Sequence, residues 1–189
     1  MNCLKELKQH YGTAEGYALY RLVMEECFGL THTDILLGKD NQISEENQAR
    51  LLEITGRLLK NEPVQYVLGY ADFCGHRFAV RPGVLIPRPE TELLVQKAQE
   101  LGRDMDSVTR PEVLDIGTGS GCIAISMALA GCHVTAKDIS EEALDIAIEN
   151  AANLNAEVAF VRENILHPSP TAQQWDIIVS NPPYICLHE

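Results

Sequence analysis

The chain's 189 residues, 46% hydrophobic and 22% charged, suffice to bury a sizeable core in one large or two small domains of an ordinary globular protein. A formal net charge of -12 leaves no obvious basic face for a phosphate backbone, so direct nucleic-acid binding is not expected. Six cysteines (Cys3, Cys27, Cys74, Cys122, Cys132, Cys186) contain no C-x-x-C pair and the histidines no H-E-x-x-H spacing, so free thiols and no metal site are expected. The amino terminus lacks the apolar core of a signal peptide. The longest uncharged apolar stretch, around Gly121 to Val134, is too short to cross a bilayer, and a cytoplasmic protein is expected.

The first sixty residues read as helices. Leu4, Leu7 and Tyr11 share a face, and Tyr20, Val23, Met24 and Cys27 repeat at helical spacing. Thr31 or Thr33 is placed to cap a short helix over Asp34 to Leu37. Ser44, followed by Glu45 and Glu46, starts a helix through Leu51, Ile54 and Leu58. These stripes predict a small helical bundle over 1–62 with no chemistry of its own. Between 63 and 88, Pro63, Gly69, Gly75, Pro82, Gly83 and Pro87 punctuate two short alternating runs, Tyr70 to Cys74 and Arg77 to Val80, which predict a linker carrying a β-hairpin. From Pro89 the pattern alternates: helix Glu90–Leu101, strand Val113–Ile116, helix Gly121–Ala130, strand His133–Asp138, helix Glu141–Leu154, strand Glu157–Val161 and strand Asp176–Ser180. The expected fold class is therefore α/β, a Rossmann-like, doubly wound parallel sheet preceded by the all-α bundle and the hairpin.

At the end of the first sheet strand lies the turn Asp115-Ile116-Gly117-Thr118-Gly119-Ser120-Gly121. Glycines there allow a tight turn and close approach of backbone to a nucleotide-like ligand, and the following helix amino terminus favours a carboxylate. Asp138, about 20 residues on at the end of the next strand, is placed to accept hydrogen bonds from both ribose hydroxyls. Its other reading is a turn residue before Ser140, which itself suits the N-cap of the next helix. Asn164 and Ile165 follow the third strand and either meet an adenine ring or fill a loop. This end alone would also suit NAD.

The acceptor end settles the expectation. Asn181-Pro182-Pro183-Tyr184 directly follows the last strand-like run, about 60 residues after the glycine turn. The Asn181 side-chain oxygen and the Pro182 carbonyl can each accept one N–H of a planar amide or amine. Pro182 and Pro183 stiffen the backbone, and Tyr184 offers a flat wall. Together the two ends point to methyl transfer to nitrogen.

Four segments make the chain resemble the release factor glutamine methyltransferases of the HemK/PrmC family. These are Asn181-Pro182-Pro183-Tyr184, the run Leu114 to Ile125, Pro63-Val64-Gln65-Tyr66-Val67-Leu68-Gly69, and Val84-Leu85-Ile86-Pro87-Arg88-Pro89-Glu90-Thr91-Glu92. The resemblance implies S-adenosyl-L-methionine as cofactor, converted to S-adenosyl-L-homocysteine. The implied substrate is the glutamine amide of the Gly-Gly-Gln motif in peptide chain release factors. It implies a substrate-docking helical domain at 1–62 and the amino-terminal part of a methyltransferase domain at 89–189. The expected cofactor set is Asp115, Gly117, Thr118, Gly119, Ser120, Gly121, Asp138, Asn164, Ile165 and Asn181. Asn181, Pro182, Pro183 and Tyr184 hold the acceptor, with Asn181, Pro182 and Tyr184 catalytic. Arg88 and Glu92 lie near the site or form an ion pair or helix start. Asn164 departs from the family's frequent Asp. The chain stops five residues after Tyr184, whereas the resemblance implies a sheet of order 3-2-1-4-5-7-6. A fragment with its fourth strand as an edge, weakly active or inactive, is therefore expected. Adenine-N6 methylation of nucleic acid, methylation of a ribosomal-protein glutamine, and cofactor binding without turnover are the alternatives.

Overall fold

A computed structural model describes residues 2–104 and 110–182. Two compact units divide between Gly69 and Tyr70.

The first unit is helical: α1 (Cys3–Tyr11), α2 (Thr13–Phe28), α3 (His32–Leu36), a 3-10 turn at Lys39–Gln42, α4 (Glu45–Leu58) and α5 (Val64–Leu68). The predicted stripes face its core, where Leu7, Tyr20, Val23, Met24, Leu51, Ile54 and Leu58 are buried. Gly16 lets α2 lie against α1, since a Cβ there would sit 2.5 Å from the Leu7 backbone. Of the two threonines, Thr31 is the cap. Its hydroxyl accepts from the Asp34 N–H at 3.2 Å while Asp34 accepts from the Thr31 N–H at 3.0 Å, so the helix starts at His32, two residues before the expected Asp34. Ser44 caps α4 as its position predicts. Helix α5 is the element that the Pro63 and Gly69 punctuation hides. Pro63 precedes its first turn, Gly69 ends it at φ +86°, and Val67 is buried. The Arg57 guanidinium meets Glu62 at 2.8 and 2.6 Å and also donates to the Tyr66 carbonyl at 3.1 Å, fixing the entry to α5.

The second unit opens with the hairpin β1 (Tyr70–Phe73) and β2 (His76–Ala79), joined at Cys74 and Gly75, both at positive φ. That pair of left-handed residues is what a two-residue hairpin turn requires. Phe73 and Phe78 alternate inward and are buried in the core of the unit, so the hairpin is packed structure. There follow α6 (Pro89–Asp104), β3 (Glu112–Ile116), α7 (Cys122–Leu129), β4 (His133–Asp138), α8 (Glu141–Leu154), β5 (Val158–Arg162) and β6 (Ile177–Ser180). The sheet is parallel with order β5-β4-β3-β6. Counted from β3, this is the expected 3-2-1-4. Helix α7 is apolar on every side and correspondingly buried from Cys122 to Met127. No helix among the described residues is long and apolar enough to cross a membrane.

Candidate active site

From β3 the sheet grows through β4 and β5 on one side and then returns to add β6 on the other. A parallel sheet opens a crevice beyond its carboxyl ends where its order reverses in this way. Ile116 pairs with Ser180 across β3 and β6, and the Ser180 hydroxyl donates to the Ile116 carbonyl at 2.8 Å. The glycine turn and Asn181 therefore leave the sheet side by side, although 60 residues separate Gly121 from Asn181.

The turn is held from below. The N–H groups of Gly117 and Thr118 both donate to the Lys137 carbonyl, at 2.8 and 3.1 Å. The Thr118 hydroxyl donates to Asp115 at 2.7 Å. Asp115 is wholly buried, and burial pushes its carboxyl up to about 6; the charge of Asp138 adds to this, and the hydrogen bond from Thr118 opposes it. Gly117, Gly119 and Gly121 all have φ between +56° and +79°, yet they differ in surroundings. A Cβ on Gly117 or Gly119 would meet nothing within 4 Å, so open space lies over the turn. A Cβ on Gly121 would stand 3.0 Å from Ala147 and from Ile125, so this glycine serves the approach of α8 to α7.

Asp138 fills its turn reading before Ser140 and also braces the glycine turn. One carboxylate oxygen accepts from the Gly119 N–H at 2.9 Å, tying the end of β4 to the turn, and the other accepts from Ser140 N–H at 2.9 Å. Ser140 itself caps α8. A carboxylate has about four acceptor positions, so Asp138 keeps capacity for a ligand. Asn150, which sequence reasoning missed, completes the frame. It is 1% exposed, and its amide donates to the carbonyls of Ser120 in the turn (2.9 Å) and Ala79 in the hairpin (3.0 Å) while accepting from the Ala79 N–H (2.6 Å).

The crevice is walled by Gly117, Thr118, Gly119 and Ser120 on one side, Asn181 on another, and Pro87, Arg88 and Thr91 facing them. The Asn181 side-chain amide donates to the Thr91 hydroxyl at 3.2 Å, and its oxygen accepts no hydrogen bond among the described residues. Arg88 is exposed at this wall. Glu92 is turned to structure, accepting from the Cys74 N–H at 2.8 Å in the hairpin turn. Asn164 and Ile165 do not line the crevice. They follow β5, where Asn164 accepts from the Leu166 N–H at 3.0 Å in a local turn and Ile165 is 40% exposed. The neighbouring Glu163 N–H donates to the Asp138 carbonyl at 3.0 Å, which brings this loop beside Asp138. Pro182 is exposed; Pro183 and Tyr184 lie outside the described residues.

Residues 89–188 match the family described as Methyltransferase small domain, and residues 2–69 match the one described as PrmC N-terminal domain. A 16S rRNA methyltransferase from T. thermophilus, solved in complex with AdoMet and guanosine, shares the fold at a TM-score of 0.51 and 23% identity over 61% of this chain and 32% of that one. The family match over residues 89–188, with this fold, places the chain in the methyltransferase class. Three release factor glutamine methyltransferases are similar over longer stretches. The one from Bacteroides thetaiotaomicron is 46% identical over 96% of this chain and 64% of its own length. That from Koribacter versatilis is 47% identical over 77% and 52%, and that from Bordetella pertussis 39% identical over 100% and 69%. The chain belongs to the release factor glutamine methyltransferase family. It spans between 52% and 69% of the length of these relatives.

Proposed function

We propose that the crevice binds S-adenosylmethionine across the Asp115 to Gly121 turn and directs its methyl to the side-chain nitrogen of a glutamine, the one in the Gly-Gly-Gln motif of peptide chain release factors. The observation that carries this reading is Asn181, set beside the glycine turn with its amide NH2 occupied by Thr91 and its oxygen without a partner among the described residues. The open space over Gly117 and Gly119 and the spare acceptor capacity of Asp138 suit the cofactor. Bound there, S-adenosylmethionine supplies an electrophilic methyl on a sulfonium.

The rest falls to the chain's own residues. Asp138 accepts hydrogen bonds from ribose hydroxyls. An amide nitrogen is a poor nucleophile because its lone pair is delocalised into the carbonyl. The Asn181 oxygen and the Pro182 carbonyl each accept one N–H, hold the NH2 group and favour charge build-up on nitrogen. Pro182 and Pro183 keep those acceptors fixed, and Tyr184 forms a flat wall against the amide. The helical unit docks the protein substrate.

Mass spectrometry after incubation with deuterated-methyl S-adenosylmethionine, a purified release factor and duplex DNA tests the reading. Label on the Gly-Gly-Gln glutamine is expected. Label on adenine, or none on either substrate while calorimetry shows bound S-adenosylhomocysteine, overturns it.

A further inference from the structure

The two ends of an asparagine amide are nearly the same shape and opposite in hydrogen bonding. A site that grips a substrate NH2 must present the oxygen, because an NH2 turned outward would set donor against donor. The group behind the amide must therefore be able to accept from its NH2. Thr91, in the first turn of α6, is 8% exposed and stands 3.2 Å from the Asn181 nitrogen. Its backbone N–H is used up on the Arg88 carbonyl at 2.9 Å, so the side-chain hydroxyl is the group left to face Asn181.

We infer that Thr91 is a positioning residue: its hydroxyl accepts from the Asn181 NH2 and so supports the orientation that leaves the Asn181 oxygen on the acceptor side, where it takes an N–H of the substrate. The inference rests on the glutamine reading above for the identity of the nucleophile. Its structural half, the orientation of the Asn181 amide, stands on the Thr91 contact alone. With valine at 91 the buried side offers neither end of the amide a partner. The NH2 then turns toward the water of the crevice, where it meets a substrate NH2 with the wrong polarity.

The test compares Thr91→Val, which keeps the shape, with Thr91→Ser, which keeps the hydroxyl. Four quantities are read on the whole chain: kcat and KM for label transfer to the release factor, the Kd for S-adenosylhomocysteine, and the Asn181 side-chain NH2 resonance, identified by its loss in Asn181→Asp. In Thr91→Val, kcat falls about tenfold to a hundredfold, the size of effect seen when the partner orienting an active group is removed. The Kd for S-adenosylhomocysteine stays within about twofold, and the Asn181 resonance moves and exchanges faster with water. Thr91→Ser restores kcat and the resonance. An unchanged kcat or resonance in Thr91→Val, a loss of kcat that serine does not rescue, or an equal loss of cofactor binding overturns the inference. A wild-type chain that labels no glutamine overturns the methyl-transfer reading only, because the resonance needs no turnover to report on Thr91.

Discussion

Burial at Asp115 raises its carboxyl from 3.8 to about 6, and this gives the second unit a pH dependence of definite sign. A carboxyl whose folded pKa lies above its unfolded value releases its proton more readily when the chain unfolds. Stability therefore falls as pH rises from about 4 to about 6 and stays reduced above. The gap between the two values corresponds to roughly 3 kcal/mol. Asp115→Asn keeps an acceptor for Thr118 and removes the titration. Its midpoint in urea should exceed that of the wild type by a margin that grows between pH 4 and pH 6 and then levels off. Trp175, the single tryptophan, lies in the second unit and reports its unfolding by fluorescence. A margin that does not change with pH would mean that Asp115 titrates normally.

The hairpin gains an additional partner through a side chain. Asn150 on α8 meets both the N–H and the carbonyl of Ala79, as a neighbouring strand would, and its second N–H holds the Ser120 carbonyl. Asn150→Ala leaves three backbone groups without that partner and should lower the stability of the unit by about 2 to 4 kcal/mol, measured by urea unfolding. A loss below about 1 kcal/mol would show that water replaces the clasp without penalty. The elements most legible in the sequence were those whose signal is local. Strand β4 and helix α8 match their expected bounds because periodicity and the Ser140 cap mark them, and the glycine turn marks the crevice. Thr91 and Asn150 were illegible because their partners lie 90 and 71 residues away. One hint was available for Asn150, a polar residue at core spacing from Ile146 and Ala147 on an otherwise apolar face. Helix α5 was hidden because five residues between a proline and a glycine look like a connection.

At the scale of the molecule, the two units are built on different principles. The helical unit is a set of stripes closed on their own core, while the second unit is a frame around one turn. The anchors on that turn come from several elements: Lys137 and Asp138 from β4, Asn150 from α8 and, through Asn150, the hairpin. The Ala79 amide can exchange with solvent only when the clasp on Asn150 is released. A ligand that steadies the turn makes that release rarer throughout the connected frame. The hairpin thus becomes a remote gauge of occupancy: saturating S-adenosylhomocysteine should slow deuterium uptake in peptides spanning 74–80 as well as in 115–121. Slowing confined to 115–121 would mean that the hairpin breathes on its own.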